Sequence, residues 1–371
     1  MPTASCLLME TRAEATGYQR GDIQLAFCRG CGFVCNAAFD PGLIRYTSSY
    51  EETQGFSATF NAFHRDLARD LMDRHRLGGK TVMEIGCGKG EFLTMLCEMG
   101  AKQGIGFDPG YRPERNTSEA AKRIDFIVDF YSKRYASRTA DFICCKMTLE
   151  HIPNVAEFLR IISDSVAGQE DTVVFFQVPE AMLILDQLGF WDVYYEHCSY
   201  FTAGSLARLF EGCGFDVLGV WTGYDEQYLM IEARPKRRGA AAQAGGAPNI
   251  AELARKVERF RDSCRANVAE WRRRLQAFKA AGQRTVLWGS GSKGVSFLTT
   301  VGVTDEIAGA VDINPYRQGK FMPGSGHEIL APEALRSLKP DNVIIMNPIY
   351  RKEIGELLSS MSLHPNIMTV A

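Results

Sequence analysis

The sequence predicts an α/β protein with two parallel sheets, each covered by helices on both faces. Short β-rich runs alternate with helical patterns from residue 80 onward, which is typical of a parallel sheet. The alternation stops at a small-residue, uncharged segment, residues 239–248, and then begins again. In both halves a glycine-rich loop follows the first strand, as it does in folds that bind nucleotide-like ligands at this point.

The composition excludes several classes of protein. The chain has 371 residues, of which 46% are hydrophobic and 23% charged, so it is long enough for two or three domains and is not disordered. A net charge of −2 favours neither nucleic acid nor an anionic membrane. The most apolar run, residues 173–185, is too short to span a bilayer, and the N-terminus lacks signal-peptide features. We expect a cytoplasmic monomer or weak homodimer that binds no nucleic acid and no membrane.

The elements divide the chain into four segments. We predict an N-terminal module with cysteines at 1–52, a first α/β domain at 53–236, a linker at 237–248, and a long helix with a second α/β domain at 249–371. In the first domain we predict a helix at 91–99 and strands at 81–85, 103–108, 125–128, 141–144 and 172–176, followed by two strands at 215–220 and 228–233 that form an antiparallel edge. In the second we predict a helix at 249–281 and strands at 285–288, 308–312 and 342–346.

The first glycine-rich loop has the pattern E-x-G-x-G-x-G. A dinucleotide loop would need its third glycine at position 91, which is Glu91. An acid two residues before the loop suits a ligand with a cationic head, such as S-adenosylmethionine (SAM), which carries an ammonium and a sulfonium but no phosphate. An acid at the end of the next strand is placed for ribose hydroxyls, and an acid and an aromatic ring after the third strand for adenine. The predicted cofactor residues are Glu84, Gly86, Cys87, Gly88, Gly90, Asp108, Asp129 and Phe130.

The second glycine-rich loop, Gly289-Ser-Gly-Ser-Lys-Gly294, is a complete G-x-G-x-x-G, and Asp312 ends the next strand. Taken alone, this loop predicts NAD binding. An NAD-dependent oxidoreductase therefore stays open as a function of a different class, although two nucleotide cofactors in one chain would need a reaction that uses both.

The chain has 11 cysteines, which in a cytoplasmic protein are thiols or metal ligands rather than disulfides. Cys144 and Cys145 are neighbours in an apolar strand, so we expect two buried thiols that face opposite sides of the sheet.

Several segments resemble the SAM-dependent sugar C-methyltransferases of deoxysugar biosynthesis, which 3-C-methylate nucleotide-linked 4-keto-deoxysugars. They are the cysteine-bearing N-terminus, the loop at 84–90, Val178-Pro179, the run Phe-Trp-Asp-Val-Tyr-Tyr-Glu-His-Cys-Ser-Tyr-Phe at 190–201, the loop at 288–294, Val-Asp-Ile-Asn-Pro at 311–315, Gln318-Gly319 and Pro323-Gly324. The resemblance implies a zinc-binding N-terminal module, a class I SAM-binding domain, and a Rossmann-like C-terminal domain without NAD. It also implies that a small-molecule substrate, a nucleotide sugar, binds between the last two.

The resemblance assigns roles within the run at 190–201. His197 is the base that removes a proton next to a ketone, a role that suits imidazole because its pKa lies near neutrality. Tyr194 and Glu196 position the substrate or stabilise the enolate. Tyr195 stands where relatives often carry histidine and is given no role. Substrate phosphate or sugar oxygens are assigned to residues of the second glycine-rich loop and to one residue after the last predicted strand, namely Ser290, Gly291, Lys293 and Asn347. His151, which follows the fourth strand, is either a structural residue at a helix start or a polar contact of the ligand.

The resemblance also implies zinc, with Cys6, Cys28 and Cys31 as ligands. The family has two C-x-x-C pairs, and Cys28-Arg-Gly-Cys31 is intact, whereas the first pair reads Cys6-Leu-Leu-Met9. Zinc prefers four good donors and a thioether is a poor one. Cys35 is an alternative fourth ligand, and reduced structural thiols are the alternative to a zinc site.

We therefore expect a SAM-dependent methyltransferase that methylates a carbon next to a ketone, on a nucleotide-linked 4-keto-deoxysugar. Deprotonation would give an enolate that attacks the SAM methyl group. The alternatives are an O- or N-methyltransferase of a small metabolite, the NAD-dependent oxidoreductase, and a ligand-binding protein without catalysis.

Overall fold

The computed structural model describes residues 1–44, 49–236 and 250–370. The predicted linker at 237–248 lies outside these ranges. None of the helices within them combines the length and apolarity that a membrane crossing needs.

The N-terminal part forms a short helix and a hairpin. They are α1 (Arg12–Thr16), β1 (Leu25–Phe27) and β2 (Val34–Asn36). The hairpin turn carries the C-x-x-C pair, and it is tight because Cys28 N–H donates to Phe33 O at 2.8 Å and Gly32 has a φ of +73°.

The middle of the chain forms the first predicted α/β domain. Its elements are α2 (Ala58–Arg74), β3 (Thr81–Ile85), α3 (Glu91–Glu98), β4 (Gln103–Phe107), β5 (Ile124–Ile127), β6 (Phe142–Lys146), α4 (Val155–Ser165), β7 (Val173–Pro179), α5 (Ala181–Asp186), β8 (Ser199–Tyr200), α6 (Ala203–Gly212), β9 (Phe215–Gly223) and β10 (Tyr228–Pro235). The seven-stranded sheet has the order β5-β4-β3-β6-β7-β10-β9. The first five strands are parallel and β10 runs antiparallel between β7 and β9, which confirms the predicted antiparallel edge.

Both faces of the central strands of this sheet are buried, so most of the residues in these strands are apolar. Cys144 belongs to the core on one face and Cys145 to the core on the other. Both are fully buried free thiols, as the alternation of side chains along a strand predicts. Full burial of one large apolar side chain stabilises a fold by about 1.5–3 kcal/mol, so these strands hold the positions of the loops at their ends.

The C-terminal part forms the second predicted sheet. Its elements are α7 (Ile250–Ala280), β11 (Thr285–Trp288), α8 (Ser292–Val301), β12 (Ala310–Val311), β13 (Ile329–Leu330), α9 (Leu335–Leu338), β14 (Asn342–Ile345), α10 (Arg351–Ser360) and β15 (Asn366–Thr369). The five strands are parallel in the order β13-β12-β11-β14-β15. The long helix α7 buries Leu253, Phe260, Trp271 and Leu275 and leaves most of its charged residues in solvent, as its amphipathic pattern predicts.

Residues 190–201 are held by all three parts of the molecule, and we call them the bridging segment. At its start, Phe190 stacks on Phe297 of α8 with ring centroids 5.8 Å apart, and Ser296 Oγ donates to Val193 O at 2.7 Å. At its end, β8 pairs antiparallel with β2 of the hairpin. Residues 1–20 extend away from the hairpin and contact the C-terminal domain, where Phe321 N–H donates to Met9 O at 2.9 Å. The N-terminal part therefore spreads over both α/β domains.

Candidate active site

A cavity of about 260 Å³ lies between the two parallel sheets. On the side of the first sheet it is lined by Met147, which follows β6, and Pro179, which ends β7; on the other side it is lined by Trp288, which ends β11, and Met346, which follows β14. Ligands of open α/β sheets bind beyond the carboxyl ends of the strands. The cavity is therefore placed for a substrate that both domains contact.

The first glycine-rich loop turns sharply between β3 and α3. Gly86, Gly88 and Gly90 have φ values of +73°, +54° and +80°, which only glycine adopts without strain. A Cβ at Gly86 would lie 2.0 Å from Thr148 Oγ1. Asp108, just after β4, holds the loop, because its carboxylate accepts hydrogen bonds from the N–H groups of Gly88 at 2.9 Å and Gly110 at 2.7 Å. The predicted loop and its acid thus form one unit, in which Cys87 is buried.

Glu84 has a counter-ion inside the protein. Its Oε1 accepts a hydrogen bond from Lys146 Nζ at 2.7 Å, and both side chains are buried. Lys146 Nζ also lies 3.8 Å from the centroid of the Phe92 ring. Within the described residues, Glu84 Oε2 has no hydrogen-bond partner. One oxygen of the predicted cofactor acid is therefore engaged by Lys146, which the sequence did not reveal, and the other is buried without a partner among the described residues.

Glu52 lies over the same loop. Its Oε1 is 2.8 Å from the position that a Cβ at Gly88 would occupy, and its Oε2 accepts from Lys89 Nζ at 3.3 Å. Burial raises the pKa of Glu52 to about 7, although Lys89 opposes the shift. Glu52 also lines the cavity, so it connects the glycine-rich loop with the space between the sheets.

Asp129 and Phe130 follow β5, at the outer end of the same sheet edge. The ring of Phe130 is 59% exposed, and its N–H donates to Asp129 Oδ1 at 2.8 Å. The predicted cofactor residues thus lie at the carboxyl ends of three adjacent strands, β3, β4 and β5. Carboxylates that accept hydroxyl and amine hydrogens, together with an exposed aromatic side chain, form a set of groups that fits SAM. Asp129 Oδ2 already accepts a hydrogen bond from the hydroxyl of Tyr135 at 2.6 Å.

Tyr194, Glu196 and His197 come from the irregular middle of the bridging segment. Tyr194 lines the cavity, and its ring centroid lies 4.1 Å from that of His197. Tyr195 points the other way, because its hydroxyl accepts from the N–H of Asp40 at 2.9 Å and its ring stacks on Phe39. Tyr194 therefore faces the cavity with His197 packed against its ring, whereas Tyr195 anchors the N-terminal part.

His197 is surrounded by a buried group of titratable side chains. His151 lies against it with ring centroids 4.7 Å apart, and Glu150 Oε1 lies 3.9 Å from His197 Nε2. Burial, with contributions from His151 and Lys293, lowers the pKa of His197 well below its usual value, so its imidazole is neutral at neutral pH. Burial likewise lowers the pKa of His151 to about 4 and raises that of Glu150 to about 8. One ligand atom from each of these three residues lies within 4.8 Å of the others, which is the size of a metal site.

Glu196 is held by the N-terminal segment. Its Oε2 accepts a hydrogen bond from Ser5 N–H at 2.7 Å and another from Ser5 Oγ, and Ser5 Oγ also lies 2.7 Å from Ser292 Oγ at the start of α8. Burial raises the pKa of Glu196, and hydrogen bonds from Ser5 and Tyr50 oppose the shift. Glu196 is thus tied directly to the N-terminal segment and, through Ser5, to the C-terminal domain.

The second glycine-rich loop lies on the opposite wall of the cavity. Ser290 is buried and donates to Asp312 Oδ2 from its N–H at 3.1 Å and its hydroxyl at 2.6 Å. Gly291 is the N-cap of α8 and lines the cavity, and a Cβ built on it would meet nothing within 4 Å. The structure therefore gives Ser290 an internal role and leaves Gly291 open to a ligand.

Lys293 and Asn347 also line this wall. Lys293 Nζ lies 2.5 Å from Asp192 Oδ1 of the bridging segment. Asn347 Oδ1 accepts from the N–H of Ile349 at 3.3 Å and caps the turn at Pro348–Tyr350. Two of the predicted substrate contacts are thus already engaged, one of them across the domain interface.

The predicted zinc ligands are not brought together. Within the described part of the chain, Cys6, Cys28 and Cys31 form no cluster of metal-binding size. The exposed thiol of Cys28 has a lowered pKa because the backbone and thiol of Cys31 hydrogen-bond to it, whereas Cys6 is buried with its Sγ 3.4 Å from Ser292 Oγ. The prediction of Cys6 as a partner of this pair is wrong, because residues 1–20 run onto the C-terminal domain. These three residues do not fit a zinc ion.

Sequence reasoning missed four residues of this site: Ser5, Glu52, Lys146 and Glu150. Lys146 ends β6, and Glu150 lies in the turn that follows it. Because ligands bind beyond the carboxyl ends of parallel strands, any polar residue at this place is a candidate site residue. Ser5 and Glu52 carry no comparable signal, since they reach the site only through tertiary contacts. His151 was left with two interpretations, and the structure brings it to His197.

Comparison with known proteins agrees with this arrangement. Residues 60–220 match a methyltransferase domain model, and residues 246–364 match a model described as the C-methyltransferase C-terminal domain. The C-methyltransferase NovU of Streptomyces niveus is 27% identical over 300 residues, which cover 74% of this chain and 68% of that protein.

Solved structures resemble about half of the chain. The 1,6-didemethyltoxoflavin-N1-methyltransferase of Burkholderia thailandensis is 18% identical, covers 49% of this chain and 83% of its own, and gives a TM-score of 0.38. The magnesium protoporphyrin IX methyltransferase of Synechocystis PCC 6803 is 17% identical, covers 48% and 84%, and gives a TM-score of 0.35.

The central sheet has the class I SAM-methyltransferase fold, Rossmann-like and mixed at one edge. The predicted cofactor residues lie together on that sheet, and the C-terminal domain match and the curated relative both concern carbon methylation. The chain is a SAM-dependent methyltransferase, and its similarities are those of a C-methyltransferase.

Proposed function

We propose that this enzyme methylates a carbon next to a ketone, on a nucleotide-linked 4-keto-deoxysugar. The observation that carries the proposal is a neutral, buried imidazole, His197, which packs against a tyrosine of the cavity wall on the side where the carboxyl ends of both sheets meet. A carbon acceptor needs a base, because its C–H bond must break before it becomes nucleophilic. A nitrogen or oxygen acceptor has a lone pair and needs the base less.

The residues divide the chemistry between them. When bound, SAM supplies a methyl group activated by its sulfonium, and the carboxyl ends of β3 to β5 would hold it through Asp108, Asp129 and Phe130. His197 removes the proton next to the ketone. Tyr194, on the cavity wall beside His197, donates a hydrogen bond to the oxygen where enolate charge develops. Burial raises the pKa of Tyr194, so its hydroxyl stays protonated and can donate this hydrogen bond.

The substrate class is supported by the opposite wall. Helix α8 points its N-terminus, capped by Gly291, at the cavity, and helix N-termini favour phosphate oxygens. The rings of Tyr228, Tyr350 and Trp288 line the same space and offer surface for a base and a sugar. The nucleotide-linked ketosugar is the substrate class of the family that the sequence resembles, and a diphosphate that joins a nucleoside with a flat base to a sugar matches this lining.

The product of the reaction tests the substrate proposal. The protein is incubated with SAM and a panel of nucleotide ketosugars, and mass spectrometry reads the gain of one CH2 unit and its position. A product methylated on the carbon next to the ketone is expected. Methylation of oxygen or nitrogen with every substrate would contradict the proposal and favour the alternative methyltransferase.

The base assignment predicts the behaviour of His197→Ala. Exchange of the substrate's α-hydrogen for deuterium from solvent, followed without turnover of SAM, is expected to fall about 100-fold or more. Tyr195→Phe is the matched control, because Tyr195 lies on the same segment and faces the N-terminal part; it should keep the exchange rate within a few-fold. Exchange at the wild-type rate in folded His197→Ala would remove His197 as the base.

A further inference from the structure

Glu150 is a buried acid without a counter-charge. Its side chain is 1% exposed, and within the described residues neither carboxylate oxygen has a hydrogen-bond partner. Ionisation of such a group is costly, because a buried charge needs a partner, and burial accordingly raises the pKa of Glu150 to about 8. Glu84, in the same domain, shows the usual solution, since Lys146 neutralises it at 2.7 Å.

The backbone holds Glu150 in place opposite His197. Glu150 lies in the turn Leu149–His151 that follows β6, and its carbonyl oxygen accepts from the N–H of Cys198 at 3.0 Å. The carboxylate and the imidazole therefore lie on two backbone segments that are hydrogen-bonded to each other, with Oε1 of Glu150 3.9 Å from Nε2 of His197. Without ligand, such a distance between a carboxylate and a base is often long. It shortens when the imidazole gains a positive charge that attracts the carboxylate.

The other charged groups around His197 are already matched or neutral. Lys293 of α8 is paired with Asp192 of the bridging segment at 2.5 Å. His151 and Tyr194, whose rings touch His197, are neutral at neutral pH because burial lowers the pKa of the imidazole and raises that of the phenol. Glu196 is bound by Ser5. Among the described residues of this cluster, Glu150 is the acid with neither carboxylate oxygen hydrogen-bonded.

We propose that Glu150 is a positioning residue for the base, and that the imidazolium formed on His197 during the reaction is its missing counter-ion. The proposal rests on the proposed function, in which His197 removes the α-proton. In that step the C–H bond breaks, an N–H bond forms at Nδ1, and the electron pair stays on the substrate as an enolate, while the N–H at Nε2 faces Glu150. Glu150 neither gains nor loses a proton in this step. Its negative charge stabilises the imidazolium and orients the ring. The electrostatic interaction between Glu150 and His197 is thus more favourable after proton abstraction than before it.

The pH dependence follows from the same arrangement. Burial raises the pKa of Glu150 to about 8, so its ionised, active form becomes more populated as the pH rises through this value. Deuterium exchange at the α-carbon should therefore increase with pH over this range in the wild-type protein. In Glu150→Gln the carboxyl group is gone, so this rise should disappear.

The experiment compares Glu150→Gln and Glu150→Asp with a matched control. Exchange should fall about 100-fold in Glu150→Gln, with little change in KM, and Glu150→Asp, which keeps the charge, should recover part of it. Glu180→Gln is the control, because Glu180 is a buried acid of the same domain that caps α5 through Met182 N–H; it should exchange at nearly the wild-type rate. Thermal unfolding and SAM titration calorimetry establish that each variant is folded.

Three outcomes would overturn the proposal. Wild-type exchange and an unchanged pH profile in Glu150→Gln, with exchange lost in His197→Ala, would remove Glu150 and leave the base in place. Exchange retained in His197→Ala would remove the base, and Glu150 with it. Loss of wild-type exchange on chelation, restored by added Zn²⁺, would show instead that the cluster of Glu150, His151 and His197 binds a metal ion.

Discussion

The two glycine-rich loops look alike in sequence but differ in what their glycines do. In the first loop, Gly86, Gly88 and Gly90 all have positive φ, and a Cβ at each would collide with a side chain of the protein itself. In the second loop only Gly289 has positive φ. Gly294 is needed because a Cβ there would lie 2.3 Å from Gly289 O, whereas Gly291 faces open space. Glycine is thus required by the fold at five positions and left free for a ligand at one.

The acids after the two loops do not distinguish them. Asp108 accepts from the N–H groups of Gly88 and Gly110, and Asp312 accepts in the same way from Ser290 and Asn314. The glycine-rich motif that the two loops share therefore indicates only a tight connection from a strand to a helix. The space in front of each loop decides which ligand binds there. Substitution of single glycines tests this difference.

The largest effect is expected for Gly86→Ala. The left-handed backbone costs an ordinary residue about 1–2 kcal/mol, and the new methyl group would lie 2.0 Å from Thr148 Oγ1, so we expect a loss of about 3 kcal/mol in the free energy of unfolding. Denaturant titration measures the stability, and calorimetry should show that SAM binding is weakened. Addition of Thr148→Ala should recover part of the loss, because it removes the nearest atom. Wild-type stability in Gly86→Ala would contradict the tight packing of this loop.

A smaller and separate effect is expected for Gly294→Ala. Its Cβ would meet the backbone oxygen of Gly289, so α8 must move away from β11, at a cost of about 2 kcal/mol. Because the loop belongs to the other sheet, SAM affinity should stay within about twofold while substrate KM rises. Equal losses of SAM and substrate binding would show that the two loops are not independent.

The smallest structural effect is expected for Gly291→Ala. Nothing lies within 4 Å of the added methyl group, so the stability should change by less than about 1 kcal/mol, the cost of alanine at a helix N-cap. Substrate KM should nevertheless rise about tenfold, because the methyl group takes the space in which a phosphate oxygen approaches the helix. An unchanged KM would mean that the substrate binds elsewhere in the cavity.

Prediction from sequence succeeded where the signal was local. Alternating strands and helices predicted both sheets, and the spacing of Glu84, the glycines and Asp108 predicted a tight loop with an acid beside it, since these residues are close in the chain and their spacing has a geometric meaning. The assignment of Cys6 to a metal site failed because the spacing of cysteines does not show where a long irregular segment runs. Glu150 and Ser5 were not singled out, because their partners, His197 and Glu196, lie far away in the sequence.

The sequence by itself determined the fold class, the cofactor loop and the segment that carries the tyrosine and histidine, because short-range periodicity, turn chemistry and motif spacing are properties of neighbouring residues. Only the tertiary structure decided which charges are neutralised. Lys146 neutralises Glu84 and Asp192 pairs with Lys293, whereas Glu150 lies beside His197 without a counter-charge. The burial that sets these environments comes from the packing of three parts of the chain around one segment. A side chain's environment in a folded protein is set by residues distant in sequence, and this environment decides whether an imidazole acts as a base.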